Sequence, residues 1–256
     1  MRKRYAALSL LIGAGLVASM LYVSLDHGFI RFNYPSDSEF PIRGVDISHH
    51  QGAIDWNLLA GDGVQFAYIK ASEGASFRDD RFSDNWAGSR KAGVMPGAYH
   101  YYSLCAPPLL QAENFLASAP PSPFPALPPT VDLELAGNCS RRPTPAEFQA
   151  DLRVFLDAVE AAWNRRVVLY VTSDFYPYVQ GHFADNPLWV RSIFGRPRIA
   201  GFAQWQFWQY ANRGRVDGVS ELVDLNVFKG SQLKFRAFVD PHQRIPPGNK
   251  SRETNR

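Results

Sequence analysis

Residues 128–135 read Pro-Pro-Thr-Val-Asp-Leu-Glu-Leu, an apolar and β-prone stretch that carries two carboxylates, Asp132 and Glu134. On a β-strand, residues two positions apart point to the same face, so we expect these side chains to stand side by side, with Cα atoms about 6–7 Å apart. Like charges at that distance repel, which raises the pKa of one acid and keeps it protonated near neutral pH. Glycoside cleavage uses such a pair, one protonated acid and one ionised partner.

The pair also has a simpler interpretation, because a single Asp-x-Glu on a strand is most often a solvated edge. The segments on either side bear on the choice. Short apolar runs alternate there with amphipathic stretches, which indicates parallel strands joined by helical crossovers. Strands are predicted at residues 44–48, 66–71, 94–101, 130–135, 167–172, 188–191, 204–210 and 222–227, and helices at 81–92 and 109–119.

Eight such strands would close a barrel, and single α/β barrels commonly have about 250 residues. The connections after the fifth strand are too short for full helices. The predicted fold is therefore α/β, an irregular TIM-like (β/α) barrel with reduced helices in its second half.

The clearest helix begins at Thr144. The sequence Thr-Pro-Ala-Glu at 144–147 has the form of a capping box with proline at the first helical position. The helix should run to about Asn164, and six apolar residues fall on one face at helical spacing: Phe148, Leu152, Phe155, Leu156, Val159 and Trp163.

Four acids lie at or near the carboxyl ends of predicted strands: Asp46, Asp132, Glu134 and Asp224. The first and last strands of a barrel are neighbours, and active sites form at the carboxyl-terminal rim. We therefore expect Asp46 and Asp224 to lie together and to face the other pair across the mouth. Four unrelated strand-end acids would be the alternative.

The N-terminus carries a targeting pattern. Three basic residues at positions 2–4 precede 21 uncharged residues, Tyr5 to Leu25, enough to span a bilayer as a helix. This favours an uncleaved signal anchor over residues 1–25, with the rest of the chain outside the cytoplasm, in the periplasm. Cleavage of the segment would instead give a secreted protein. A linker is predicted at 26–42, the barrel at 43–240 and a polar tail at 241–256.

Charge and composition exclude some functions. The chain has 27 basic and 24 acidic residues, and removing the three at positions 2–4 leaves 24 of each, since no acid occurs before Asp26. An exported part of zero net charge gives no reason to expect nucleic-acid binding. With 46% apolar residues, the chain has enough for a large core. A monomer is expected.

Seven segments, in this order, resemble one known family: Gly-Val-Asp-Ile-Ser-His-His-Gln-Gly-Ala-Ile-Asp-Trp (44–56), Phe-Ala-Tyr-Ile-Lys-Ala-Ser-Glu-Gly (66–74), Pro-Gly-Ala-Tyr-His-Tyr-Tyr (96–102), Val-Asp-Leu-Glu (131–134), Phe-Trp-Gln-Tyr (207–210), Val-Asp-Gly-Val (216–219) and Val-Asp-Leu-Asn-Val-Phe (223–228). The resemblance is to the glycoside hydrolase family 25 lysozymes, the Chalaropsis-type muramidases, and it covers residues 43–230. It implies a flattened, irregular barrel.

The resemblance implies cleavage of the β-1,4 bond between N-acetylmuramic acid and N-acetylglucosamine in peptidoglycan, with no cofactor or metal. Glu134 would be the general acid, and Asp132 would orient the substrate's 2-acetamido group, which attacks the anomeric carbon. Direct attack by a carboxylate stays open. Asp46 and Asp224 would tune the pKa values of the pair and hold the sugar.

Five further residues in these segments are candidate sugar contacts, although aromatic residues at strand ends often belong to the core. They are Glu73, Tyr99, Tyr101, Trp208 and Tyr210. The segment Leu-Trp-Val-Arg-Ser at 188–192 departs from the family pattern, and its Arg191 is expected to alter the cleft. The adjacent His49 and His50 do not suggest a metal site, because neighbours on a strand point to opposite faces.

Two cysteines follow neighbouring predicted strands, Cys105 after the third and Cys139 after the fourth. Both loops should lie on the same rim, so we predict a disulfide between them, with two free thiols as the alternative. The functional alternatives are a hydrolase of another N-acetylglucosamine polymer such as chitin, and a barrel that binds glycan without cutting it. The presence of all four acids argues against the second.

Overall fold

The computed structural model describes residues 2–198 and 205–240, with side chains described from Leu10 onward. The predicted polar tail at 241–256 lies outside the described residues. In chain order the helices are α1 (Arg2–Asp26), α2 (Trp56–Gly61), α3 (Phe82–Lys91), α4 (Pro108–Ser118), α5 (Pro145–Trp163), α6 (Tyr176–Val179) and α7 (Gln232–Val239).

Nine strands form one sheet. They are β1 (Ile42–Ile47), β2 (Val64–Glu73), β3 (Phe77–Arg78), β4 (Met95–Tyr101), β5 (Thr130–Leu133), β6 (Val168–Val171), β7 (Leu188–Arg191), β8 (Phe207–Gly214) and β9 (Val223–Phe228).

Eight of these strands close into a barrel. The order is β1-β9-β8-β7-β6-β5-β4-β2, and β1 pairs back onto β2, while β3 only extends β2 as a short antiparallel hairpin. The predicted α/β barrel is therefore present. Closure pairs the edges of the sheet with each other, which fixes where each strand end lies around the rim.

The sheet is mixed, whereas the sequence predicted a parallel one. Seven of the eight barrel strands, all except β9, run parallel to one another, but β9 is antiparallel to both of its neighbours, β8 and β1. Only residues 215–222 join β8 to β9. A parallel crossover needs about a dozen residues or more, so this short connection forces the chain to turn back as a hairpin.

The helices cover the outside unevenly. The predicted capping box is confirmed, because the Thr144 hydroxyl accepts from the Glu147 N–H and the Glu147 carboxylate accepts from the Thr144 N–H at 2.8 Å. Helix α5 buries its apolar face beside α4 and the barrel wall. Later, α6 has only four residues, and 215–222 contain no helix, so cover is thinner beyond β6.

The barrel interior is filled by aromatic rings. Tyr68 stacks on Trp189 with ring centroids 4.8 Å apart, and Phe66 and Phe207 meet edge to face at 5.3 Å. All four side chains are buried in one cluster that is separate from the larger core beneath the helices. A filled interior leaves space for a ligand only at the rim.

No helix among the described residues has the length and apolar character needed to cross a membrane. The predicted signal anchor is therefore not supported.

A disulfide joins Cys105 and Cys139, the pair predicted from the sequence, and their Cα atoms lie 6.2 Å apart. Asn138 ties the same two loops together, since its side-chain oxygen accepts from the Leu104 N–H at 2.9 Å and its amide donates to the carbonyl of Tyr102 at 2.7 Å. The amide also donates to the carbonyl of Glu134 at 3.1 Å. The disulfide thus holds the loop that directly follows Glu134.

Replacing both cysteines by serine should lower the free energy of unfolding by about 3–4 kcal/mol, because the bond closes a loop with a sequence separation of 34. Urea unfolding monitored by tryptophan fluorescence measures the change. The reduced wild-type protein is the control and should match the double variant. Equal stability of the oxidised wild type and the double variant would contradict the prediction.

Candidate active site

A cavity of about 440 Å³ opens at the rim where the parallel strands end, and all four predicted acids line it. The side chains come from every strand of the barrel. The lining includes Asp46, Lys70, Glu73, Tyr99, Tyr101, Asp132, Glu134, Tyr170, Trp189, Arg191, Gln209 and Asp224. The predicted grouping of the acids is thus present in the geometry.

Asp224 reaches this rim from an unexpected direction. It is the second residue of β9, near the start of the strand, whereas the sequence placed it at a carboxyl end. Because β9 is antiparallel to the other strands, its beginning lies at their carboxyl-terminal rim. Asp224 is paired there with Asp46 of β1 in the strand register.

A hydrogen-bond network holds the Asp46 carboxylate. The Gln209 amide donates to both of its oxygens, at 3.0 and 3.1 Å, and the Asn226 amide donates at 2.6 Å. Each amide is oriented by a second bond, because Tyr170 donates to the Gln209 oxygen at 2.9 Å and Trp189 donates to the Asn226 oxygen at 2.8 Å. With their oxygens occupied, both amides must present N–H groups to Asp46.

Asp46 and Asp224 are neighbouring carboxyl groups whose pKa values are both raised. Burial raises the pKa of Asp46, and the hydrogen bond from Asn226 opposes that rise. Burial also raises the pKa of Asp224 well above its usual range, and the neighbouring charge and hydrogen bond of Asp46 raise it further. Asp224 is therefore the partner that keeps the proton, and it donates to an Asp46 carboxylate that other donors stabilise.

Asp132 lies in β5, and Glu134 directly follows that strand. Burial raises the pKa of Asp132 well above its usual range, and the charge of Glu134 raises it further. Its Oδ1 atom is buried and has no hydrogen-bond partner within residues 2–198 and 205–240. A buried oxygen in this state is an open acceptor for a ligand donor, since most such atoms are paired.

Glu134 is the carboxyl best suited to exchange a proton near neutral pH. Burial raises its pKa to about 7, the Arg191 guanidinium opposes that rise, and the charges of Asp46 and Asp174 add to it. Arg191 lies 3.9 Å from the Glu134 carboxylate, and 19% of the Glu134 side chain is exposed. The group is thus partly protonated at neutral pH and open to the cavity.

Three of the five predicted sugar contacts line the cavity. Glu73 does so as an ion pair, since Lys70 Nζ lies 2.7 Å from its carboxylate and also 5.1 Å from the centre of the Tyr101 ring. Tyr101 donates its hydroxyl hydrogen to the carbonyl of Ala136 at 2.6 Å. For Tyr99, burial and then the charge of Asp46 raise the pKa of its phenol.

The other two predicted contacts do not line this cavity. Trp208 and Tyr210 are buried in the outer core, where the Trp208 indole donates to the carbonyl of Ser192 at 2.8 Å. The residue between them, Gln209, points into the barrel instead. Alternation along a strand puts Gln209 on the opposite face, a signal that was present in Phe-Trp-Gln-Tyr.

Sequence reasoning also missed Asn226, two residues after Asp224 and on the same strand face. Among the histidines near the site, His49 contacts Asp79 through Nδ1 at 2.9 Å, and His50 lines the cavity. His100 is buried between Ser72 and Gln111, and burial lowers its pKa to about 3. His100 is therefore a neutral core residue at physiological pH.

Comparison with known proteins gives one consistent family. A family model described as glycosyl hydrolases family 25 matches residues 45–219, which include three of the four acids and stop before Asp224. The uncharacterized protein YegX of Escherichia coli strain K12 is 37% identical over 218 residues, covering 82% of this chain and 77% of that protein.

Two further similar proteins are named as enzymes. Lysozyme M1 of Streptomyces globisporus is 34% identical over 217 residues, covering 80% of this chain and 74% of the lysozyme. A solved family 25 glycosyl hydrolase from Bacillus anthracis has a TM-score of 0.76 at 34% identity, covering 81% of this chain and 97% of that structure.

Asp224→Asn should stabilise the protein by on the order of 1 kcal/mol near pH 8 and have little effect near pH 4. The raised pKa of Asp224 means that its contribution to stability is present at low pH and is lost as pH rises through the folded-state value. Asparagine offers Asp46 a permanent N–H donor and adds no charge. Thermal unfolding across this pH range measures the effect, with Asp157→Asn on the surface of α5 as the control. A decrease in stability at pH 8 would contradict the prediction.

Proposed function

The chain belongs to glycosyl hydrolase family 25, and from this membership we propose that it hydrolyses peptidoglycan at the β-1,4 bond between N-acetylmuramic acid and N-acetylglucosamine. The similarity to Lysozyme M1 supports the reaction class. The proposed substrate is the glycan strand, and the reaction needs no cofactor.

One observation carries the proposal, the different states of the two neighbouring carboxyl groups. Glu134 has a pKa raised to about 7 by burial, so it is able to donate a proton near neutral pH. Asp132 presents a buried oxygen without a partner among the described residues. A proton donor beside an unfilled acceptor suits a sugar that carries both a bridging oxygen and an amide N–H.

In the proposed reaction, Glu134 gives its proton to the bridging oxygen as the bond to the anomeric carbon breaks. The carbonyl oxygen of the 2-acetamido group attacks that carbon and forms a cyclic oxazolinium ion. Asp132 accepts a hydrogen bond from the acetamido N–H and stabilises the positive charge that develops there. Water then opens the ring, and Glu134 takes a proton from that water.

The state of Asp132 favours this route over direct carboxylate attack. Burial and the charge of Glu134 raise its pKa well above the usual range, which makes it a poor anionic nucleophile in the free enzyme. An N–H donor at its unpaired oxygen would lower that pKa and stabilise the carboxylate. Asp46 and Asp224 line the same cavity. The charge of Asp46 raises the pKa of Glu134 and so helps to keep it protonated.

The proposal places the protein outside the cytoplasm, in the periplasm or beyond. The disulfide between Cys105 and Cys139 supports this location, because such bonds persist in oxidising compartments. Peptidoglycan lies in the same space. The division of the chain at residues 43 and 240 and the monomeric state stay predictions.

Digestion of purified peptidoglycan, followed by borohydride reduction of the new ends, tests the bond specificity. Muramitol ends are expected. Glucosaminitol ends would point to a glucosaminidase, cleavage of chitin in preference to peptidoglycan would favour the wider polymer hydrolase, and tight binding without products would favour a glycan-binding barrel.

Glu134→Gln should lower kcat by about a hundredfold or more, because the amide has no proton to give to the leaving oxygen. The release of reducing ends from peptidoglycan measures the rate, and circular dichroism verifies folding. Glu113→Gln, on the exposed side of α4, is the matched control and should keep wild-type activity. A Glu134→Gln enzyme that retains activity would overturn the assignment of the acid.

The activity should fall as pH rises through about 7, because Glu134 must be protonated to act and burial raises its pKa to that value. Arg191→Gln should move this alkaline limb to higher pH, since loss of the guanidinium removes the charge that opposes the rise. A kcat/KM profile from pH 4 to 9 measures the position of the alkaline limb in the wild type and in the variant. Arg90→Gln on α3 serves as the control and should leave the profile in place; an unmoved limb in Arg191→Gln would refute the electrostatic role.

A further inference from the structure

A second cavity, of about 360 Å³, opens next to the first and has no role in the proposed chemistry. It lies beyond the ends of β6 and β7, which are paired neighbours in the barrel. Arg191 lines both cavities and lies 3.9 Å from Glu134. A group bound in the second cavity would therefore be a substituent of the sugar whose glycosidic bond lies at Glu134.

The charge of the second cavity is opposite to that of the first. Its described lining includes two guanidinium groups, Arg191 and Arg198, and no aspartate or glutamate. Arg198 is exposed and has no carboxylate partner among the described residues. Two such groups on one small cavity favour a carboxylate or another planar anion.

The floor of this cavity contains an unfilled polar position. Thr172 follows β6, is only 6% exposed and has a buried Oγ1 atom that lacks a hydrogen-bond partner among the described residues. Val171 and Val190 supply apolar surface beside it. A hydroxyl left unpaired at an apolar floor suits a ligand that brings an amide group and methyl groups together.

We propose that the second cavity binds the anionic peptide substituent that muramic acid carries on O3. Arg191 and Arg198 bind its carboxylates, the Thr172 hydroxyl hydrogen-bonds to one of its amides, and the two valines contact its methyl groups. This inference rests on the proposed function, because it takes the substrate from it. Recognition of the substituent would select peptide-bearing glycan over bare glycan of the same backbone.

The test compares kcat/KM on two substrates, peptide-bearing glycan strands and the same strands after an amidase has removed the peptides. The wild type should prefer the peptide-bearing strands by about tenfold or more. Arg198→Gln should bring this ratio close to one. Arg196→Gln is the matched control, because Arg196 pairs with Glu39 and does not line the cavity.

Thr172→Val separates recognition from folding. The isosteric valine removes an unpaired hydroxyl, so the midpoint of thermal unfolding should stay or rise. The substrate ratio should fall nonetheless. A lowered midpoint with an unchanged ratio would show a purely structural role and overturn the assignment of Thr172.

A binding measurement keeps the inference testable without turnover. Titration calorimetry of Glu134→Gln with a muramyl dipeptide should show binding that weakens about tenfold when the carboxylates of the peptide are amidated or when Arg198 is replaced by glutamine.

An enzyme that cleaves both glycans equally would overturn the inference and leave the proposed function standing. Neither cleavage nor dipeptide binding would overturn both. If kcat/KM falls when phosphate polymers are removed from the wall, and does not change when the peptides are removed, the cavity binds a phosphate polymer. That result would refute the proposal that it binds the peptide.

Discussion

Four carboxyl groups are buried around one small cavity, and the cost of ionising them there is the constraint on which the rest of the site depends. In water these groups would all ionise below neutral pH. Within the barrel, burial raises the pKa of each one, and the charges of neighbouring acids raise the pKa values of Asp132, Glu134 and Asp224 further. The cavity thereby retains protons at neutral pH, and its neighbours decide which group holds them.

The fixed donors around the acids make that decision. Asp46 receives hydrogen bonds from Gln209 and Asn226, so its carboxylate is the favoured anion of its pair, and Asp224 keeps the proton. On the other side Asp132 has no such donor on Oδ1 among the described residues, and Glu134 has only a guanidinium at 3.9 Å. The first pair is satisfied by the protein itself, while the second is left to be satisfied by a ligand.

The aromatic interior gives these donors their rigidity. Trp189 and Tyr170, which orient the two amides, are packed edge to face with ring centroids 4.7 Å apart, and Trp189 also stacks on Tyr68. A rotation of either amide would break a bond in the core as well as one in the site. The packing of the barrel interior therefore fixes the amide donors that hold the Asp46 carboxylate.

Features whose signals are local could be predicted from the amino-acid sequence. Thr144 and Glu147 fixed the start of α5, strand–helix alternation fixed the barrel, and the ordered motifs fixed the family. The face of each β8 side chain was also readable from alternation, yet aromatic type suggested Trp208 and Tyr210 as contacts when Gln209 is the residue that enters the site. The direction of β9 could be read only from the folded barrel, because strand direction depends on which neighbours close the barrel. That closure joins residues more than 180 positions apart, such as Ile42 and Phe228. The tertiary structure also decided the protonation of the four acids, since a pKa depends on burial and on charges brought together from β1, β5 and β9, which no local stretch of sequence contains.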